Sequence, residues 1–432
     1  MGKIKLLPVL ALAASILACA LPGGLLPGPA TEPPAPPVGG VTPEAGVTPD
    51  AGPTVTPEVV LPPPAIAPLF QVVYAKGGSL WLWTEAGGSV QLTSAGSDSA
   101  PRLSPDGIKV AFRRGEEIWV VNTDGSSPRP VIASAFLGSV VDASVGRAAV
   151  QWFEWEPLSG SLFFGTSTVG DPFTYPVYDL WRIGIGGGDI PILIAPAGSG
   201  GPVTFSPNGQ YYTITQGTQV LLYSYDGTVN RVALTYDFVQ TYSEWTYLPD
   251  VVWFADSSEF RVVIPAHDSL GDPYAGTYVW SVPVSGSPVE MAGFIAVPAF
   301  MDRPRLSPDG VNVAYLSPNG ANTDVYLNGF YIGNEILTSC AANTCGLTGW
   351  APDSATVVFW ADNPRSLWYQ GLSMVSSTHL TDTANAENVR WVDSSRFLFL
   401  SDGELRLGTP GGASSYLDSP VDGEYDYYGF LP

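Results

Sequence analysis

Histidine and cysteine are almost missing from this chain, with two and three copies in 432 residues. So few ligands leave little material for a zinc site or a histidine-based catalytic centre, and neither metal nor cofactor is expected. Basic residues are scarce too. Eighteen Lys and Arg stand against forty Asp and Glu, a formal net charge of -22. That balance repels phosphate backbones and excludes a nucleic-acid partner. Charged residues make up only 13%, about half the usual share of a soluble domain. Beyond the first twenty residues no apolar run reaches about eighteen, the length a membrane-spanning helix needs. What is plentiful points one way. A 45% hydrophobic and 12% aromatic content can build a large core and excludes wholesale disorder. The 48 glycines and 41 prolines favour short strands and tight turns over long helices.

The N-terminus reads as an address. Lys3 and Lys5 precede an apolar run from Leu6 to Ala18, followed by Cys19. A basic start and a short hydrophobic segment make a secretory signal. The Ile16-Leu17-Ala18-Cys19 sequence resembles the lipobox of bacterial lipoproteins. The resemblance implies that Cys19 is acylated and becomes the new N-terminus, placing the protein outside the cytoplasm, at the cell surface or in the periplasm. Acyl chains bind a membrane at roughly 0.8 kcal/mol per buried methylene. A plain signal peptide cut nearby, or a short membrane anchor, is the other reading. Residues 1–19 are therefore set apart as a lipoprotein signal peptide.

Residues 20–68 change character. They hold Pro33-Pro34, Pro36-Pro37 and Pro62-Pro63-Pro64, no Lys or Arg, and a unit repeated as Val41-Thr42-Pro43-Glu44, Val47-Thr48-Pro49-Asp50 and Val55-Thr56-Pro57-Glu58. Proline fixes φ and removes backbone donors, so an extended, disordered stalk is expected. At about 3.1 Å per residue it would reach on the order of 100 Å.

Residues 69–432 are one repeated unit. Leu103-Ser104-Pro105-Asp106-Gly107 returns as Phe205-Ser206-Pro207-Asn208-Gly209 and Leu306-Ser307-Pro308-Asp309-Gly310. Weaker copies start at Trp155, Phe254, Trp350 and Val392. Aspartate and glycine supply the side-chain hydrogen bond and the positive φ that a strand-to-strand turn needs. A second landmark follows each turn, in strands carrying Ile118-Trp119, Leu180-Trp181, Leu221-Leu222, Val279-Trp280, Val325-Tyr326, Leu367-Trp368 and Leu405-Arg406. Leu80-Trp81 is an eighth copy ahead of the first turn. Spacings of about 40 to 50 residues fit one four-stranded propeller blade per copy. The fold class is thus an all-β, single β-propeller of eight four-stranded blades, with seven or six as fallbacks. The N-terminal piece lacks its innermost strand, and Phe430-Leu431-Pro432 fits the missing slot, so the C-terminal strand should complete the N-terminal blade. The turns and Leu-Trp strands resemble the WD40-like (PD40) repeat of TolB-like propellers. That resemblance specifies fold well and function poorly, because such propellers serve binding proteins, peptidases and lyases alike.

Candidate sites follow from what departs from the repeat. With Cys19 lipidated, Cys340 and Cys345 are expected to form a local disulfide, a redox or metal site being the alternative. Two blades carry long loops between their second and third strands: one with Asp171, Phe173, Tyr175 and Tyr178, one with His267, Asp268, Asp272 and Tyr274. A shorter loop carries Arg365, and a long crossover brings Trp245. In the expected register these loops share one face of the ring. Exposed aromatics with carboxylates suit sugar faces or peptide chains, although the loops could equally just pack over the channel. No Gly-x-Ser-x-Gly elbow, phosphate loop or His-Glu-x-x-His helix is present. The expectation is a monomeric, membrane-anchored, non-catalytic binding module for an envelope protein, peptide or glycan. The alternatives are a glycan-acting hydrolase or lyase using channel carboxylates, with Asp171 and Asp272 as the first pair to test, and an envelope assembly scaffold.

Overall fold

Eight sheets follow one another along the chain in a computed structural model. It describes residues 70–428 except 141–145, 171–173, 244, 273–274, 299–300, 330–332, 362–364, 373, 375 and 382–383. The signal peptide with Cys19, the proline-rich stalk and Phe430 to Pro432 lie outside the described residues. All described residues fall in one compact unit, Ile66–Pro432.

Each blade from the second to the eighth is an antiparallel meander read from its innermost strand outward. Blade 2 is typical, running Asp98–Leu103, Lys109–Arg114, Glu117–Asn122 and Arg129–Ile132. Every Leu-Trp landmark falls on the third strand of its blade. The first blade is assembled from both ends of the domain. Gln71–Lys76, Ser79–Thr84 and Gly88–Gln91 are joined on the inside by Tyr425–Tyr428, with Val72 opposite Tyr427 and Val73 opposite Asp426. The fold is therefore an all-β, eight-bladed β-propeller with radial four-stranded sheets. The closing strand starts earlier than the Phe430 slot expected from sequence.

The Ser-Pro-Asp-Gly turns join first strands to second strands. In blade 2 the Ser104 hydroxyl donates to Asp106 at 2.5 Å and accepts from Lys109 N at 2.9 Å, while Gly107 adopts φ +70°. Asn208 and Asp309 repeat the arrangement. Where the glycine is replaced, Ser257 and Ser354 take the positive φ themselves. Each then bonds back to the preceding blade: Ser257 Oγ accepts from Asn208 N at 3.1 Å, and Ser354 Oγ accepts from Asp309 N at 2.9 Å. One serine thus serves both turn and ring.

The core lies between blades, as stacked sheets require. Leu398, Leu400 and Leu405 of blade 8 pack with Val72, Tyr74 and Tyr425 of blade 1. Val73 and Leu80 of blade 1 pack with Val110 and Phe112 of blade 2. The landmark tryptophans Trp81, Trp119, Trp181, Trp280 and Trp368 sit half-buried against these clusters. Because strands alternate in direction, the turns after first and third strands share one rim, here the turn face. Loops after second strands and blade-to-blade crossovers share the other, the crossover face. No helix among the described residues is long and apolar enough to cross a membrane.

Candidate functional site

The innermost strands run from crossover face to turn face, so their last residues surround the channel near the turn face. Four charged side chains meet there from four blades: Arg102 (blade 2), Glu154 (blade 3), Arg390 (blade 8) and Asp426 (blade 1). Asp426 accepts from Leu103 N at 2.8 Å and pairs with an Arg390 nitrogen at 3.3 Å. The closing strand is thereby tied to both neighbours. Burial pushes the Asp426 carboxyl above the usual carboxylate range, against the opposing pull of the Leu103 amide, Arg102 and Arg390. Enclosure by the channel wall also raises Glu154, with Arg102 pulling it down and Asp426 pushing it further up. Glu154 is itself exposed, so its enclosure comes from the surrounding blades rather than from solid protein.

Beside this cluster opens a cavity of about 770 Å³, reaching from Pro308 and Pro352 in the turns to Arg390 and Asp426. Aromatic side chains dominate its wall. Trp350 donates its indole N–H to Arg305 O at 2.8 Å, which fixes its ring, and the Tyr427 hydroxyl donates to Trp391 O. Trp391 and Tyr428 complete the lining. An apolar, aromatic hollow containing one oriented ion pair can enclose a chain with mixed apolar and polar groups.

The residues singled out from sequence lie on the crossover face. Tyr178 and Trp245 come together, 67 positions apart in the chain, in a second cavity of about 460 Å³ that Trp152 also lines. Asp268 accepts from the Tyr242 hydroxyl at 2.8 Å and from Gly271 N at 2.7 Å, which organises the loop of blade 5. Those bonds hold its carboxyl below the usual range. Asp272 is exposed on the same loop, its amide donating to Asp268 O at 3.1 Å. Arg365 lies over the Trp360 ring, 4.2 Å from its centroid, and borders a third cavity of about 300 Å³ shared with Asp302. Tyr175 lies on a short strand, its backbone opposite Thr168. Asp171, Phe173 and Tyr274 lie outside the described residues. Cys340 and Cys345 are joined as a disulfide with a Cα–Cα distance of 6.2 Å. His267 and His379 are engaged separately, one with Phe238 O and the other edge-on to Trp368. No cluster of three or more His, Cys, Asp or Glu among the described residues is arranged to hold a metal ion.

Sequence reasoning missed the channel cluster. Its signal was one position away: Arg102 and Glu154 each precede the aromatic or apolar residue that opens a turn motif. In an alternating strand that column faces opposite to the packed one.

The sequence matches no protein-family model and no curated protein. A solved structure of the eukaryotic initiation factor is 10% identical, with a TM-score of 0.51, over 84% of this chain and 98% of that one. At such identity the likeness concerns the fold alone. TolB from Acinetobacter baumannii is 14% identical with a TM-score of 0.32, over 62% of this chain and 65% of its own. The tricorn protease is 10% identical with a TM-score of 0.36, over 81% and 42% respectively. Neither of these two bears on function here.

Proposed function

We propose that this chain is a membrane-anchored, extracytoplasmic binding module that holds a peptide segment of an envelope protein in the turn-face mouth of its channel. The observation that carries the reading is the 770 Å³ cavity, aromatic-walled and furnished with the Arg390–Asp426 pair. Aromatic walls bury apolar side chains at low entropic cost, and an oriented ion pair gives peptide amides and side chains a fixed polar partner. The lipobox-like sequence at Cys19 supports the anchor, and the proline-rich residues 20–68 support a stand-off from the membrane. Full-length protein in native membranes, carrying a photo-crosslinker at Thr348 on the cavity wall, tests the proposal. A single envelope protein captured at Thr348 and lost in Trp391→Ala supports it. Equal labelling from an exposed outer-strand position such as Val232 refutes it. Radiolabelled palmitate incorporation that disappears in Cys19→Ala tests the anchor separately.

One observation favours a second reading. Glu154 and Asp426 are paired channel carboxylates, both pushed upward, and a raised acid next to a second carboxylate is the equipment of glycoside hydrolysis. Against it, Asp426 is committed to Leu103 and Arg390. Glu154→Gln would abolish turnover in a hydrolase and leave peptide capture in place.

A further inference from the structure

Two irregularities of blade 3, a bulge of the kind the innermost strands of blades 2, 7 and 8 also carry and a broken third strand, face the same crossover-face cavity. The innermost strand of blade 3, Arg147–Trp155, holds an extra residue: Val150 lies opposite Thr166 and Trp152 opposite Gly165, leaving Gln151 without a partner. Such a bulge re-aims the side chains around it. Gly165 provides the room, since a Cβ there would lie 2.5 Å from Trp152 Nε1. The third strand is broken as well. Thr174–Pro176 and Leu180–Ile183 both pair with Leu162–Val169, and residues 177–179 bulge out between them.

Asp179 clamps that bulge. Only 2% exposed, its carboxylate accepts from Thr166 N and Thr166 Oγ1 at 2.7 Å and from Trp181 Nε1 at 2.6 Å. Tyr178 is left at φ +52°, a strained conformation for a bulky residue of the kind that clusters at ligand sites. The crossover to blade 4 is pinned to the strained segment, with Gly198 N donating to Val177 O at 3.0 Å and Gly200 N to Tyr178 O at 2.6 Å. A third, independent irregularity closes the space. The crossover from blade 4 to blade 5 delivers Trp245, fixed by Thr241 Oγ1 donating to its carbonyl at 2.7 Å and by the Arg303 guanidinium 5.7 Å from its ring centroid.

The resulting 460 Å³ cavity is lined by Trp152, Tyr178 and Trp245, with Gln151, Ser243 and Thr246 as polar groups, and among the described residues no charged side chain contributes to its lining. Among these lining groups a charged ligand would find no counter-ion, and a purely apolar one would leave the amide and hydroxyl groups unpaired. Flat apolar ring faces bordered by hydroxyls match indole faces bordered by neutral donors and acceptors. We propose that this cavity is a second binding site, distinct from the channel mouth, for a neutral carbohydrate of one or two rings.

Tryptophan fluorescence and calorimetry on the full chain test this with cellobiose, maltose, lactose and N,N′-diacetylchitobiose. A disaccharide carrying glucuronate and an uncharged pentapeptide serve as comparison probes. Saturable binding of at least one neutral disaccharide is expected, weakened about tenfold or more by Trp245→Ala or Trp152→Ala and unchanged in Val232→Ala, at an exposed outer-strand position. Ser243→Trp, at an exposed position, should block binding by filling the mouth without disturbing the fold. Binding of none of the four disaccharides, binding that survives Ser243→Trp, or saturation by the pentapeptide alone would each overturn the proposal. A channel-mouth peptide lost in Trp391→Ala but retained in Ser243→Trp separates the two sites.

Discussion

Replacing Tyr425 tests ring closure at its seam. Tyr425 is 1% exposed, and its hydroxyl donates to Asn388 O and, at 3.2 Å, to Leu398 O. It packs with Phe70, Val72, Tyr74 and Leu398 at the seam of blades 1 and 8. Tyr425→Phe removes only the hydroxyl and should cost about 1 kcal/mol. Tyr425→Ala adds a cavity and should cost about 4 kcal/mol. An unfolding entropy of about 2.1 cal/mol/K per residue over a domain of roughly 360 residues makes 1 kcal/mol worth about 1.3 K, so the alanine variant should melt about 5 K lower.

Melting alone cannot separate a seam from any other core position, so Phe359→Ala is the control. Phe359 is equally buried at 1%, but lies within blade 7. Both variants should lose similar stability by calorimetry. Only Tyr425→Ala should loosen Tyr425–Tyr428 from Gln71–Lys76, baring backbone donors and acceptors that recruit a second chain. Size-exclusion chromatography should then show association, and limited proteolysis should cut first near residue 424. A Tyr425→Ala protein that stays monomeric and no more cleavable than Phe359→Ala would refute closure as the weak point.

The remaining predictions concern charge and clamps. Glu154 is raised by its enclosure, so the folded chain takes up its proton at higher pH than the unfolded one. The resulting stability is fully present below the ordinary carboxylate range and is lost as pH rises through the raised value. Glu154→Gln should match the wild type in urea unfolding at acid pH and exceed it increasingly toward neutrality; a constant gap would sink the account. Asp179→Asn places an amide donor among three donors and should cost about 2–4 kcal/mol, read by chemical denaturation, with crossover-face binding abolished. Reducing Cys340–Cys345, which closes a loop of sequence separation 5, should remove only about 2 kcal/mol, and a larger loss by calorimetry would mean the bridge supports more than its own hairpin.

What could be read from the sequence was what repeats. Ser104, Asp106 and Gly107 form a turn by local bonds spanning a few residues, so the pattern stays recognisable even in copies where serine replaces the glycine, and blade number follows from counting. Ring closure was legible for a related reason: the first blade lacked a strand, and only the C-terminus could supply it. The helix Ser134–Val140 in the crossover from blade 2 to blade 3 escaped notice because it belongs to one copy only. The β-bulge at Gln151 did too, since an inserted residue in a nine-residue strand leaves no mark until its partner strand is known.

The two sites differ in this respect for a physical reason. Tyr178 and Trp245 stood out because loops that escape the repeat are free to carry function, yet their meeting depended on the carboxylate of Asp179, which looked like an ordinary loop residue. The channel cluster lies on the innermost strands, which belong to the repeat itself. There four blades contribute one charged side chain each, and Arg102, Glu154, Arg390 and Asp426 become neighbours only when the ring brings positions up to 324 apart into one space. A propeller therefore hides its channel from any reading that looks for local motifs. Aligning the blades first, then reading down the column that precedes each turn, recovers its charge: Arg102 and Glu154 stand in adjacent copies with opposite sign. That alternation lets two carboxylates persist side by side in the channel, because each sits within reach of an arginine from another blade.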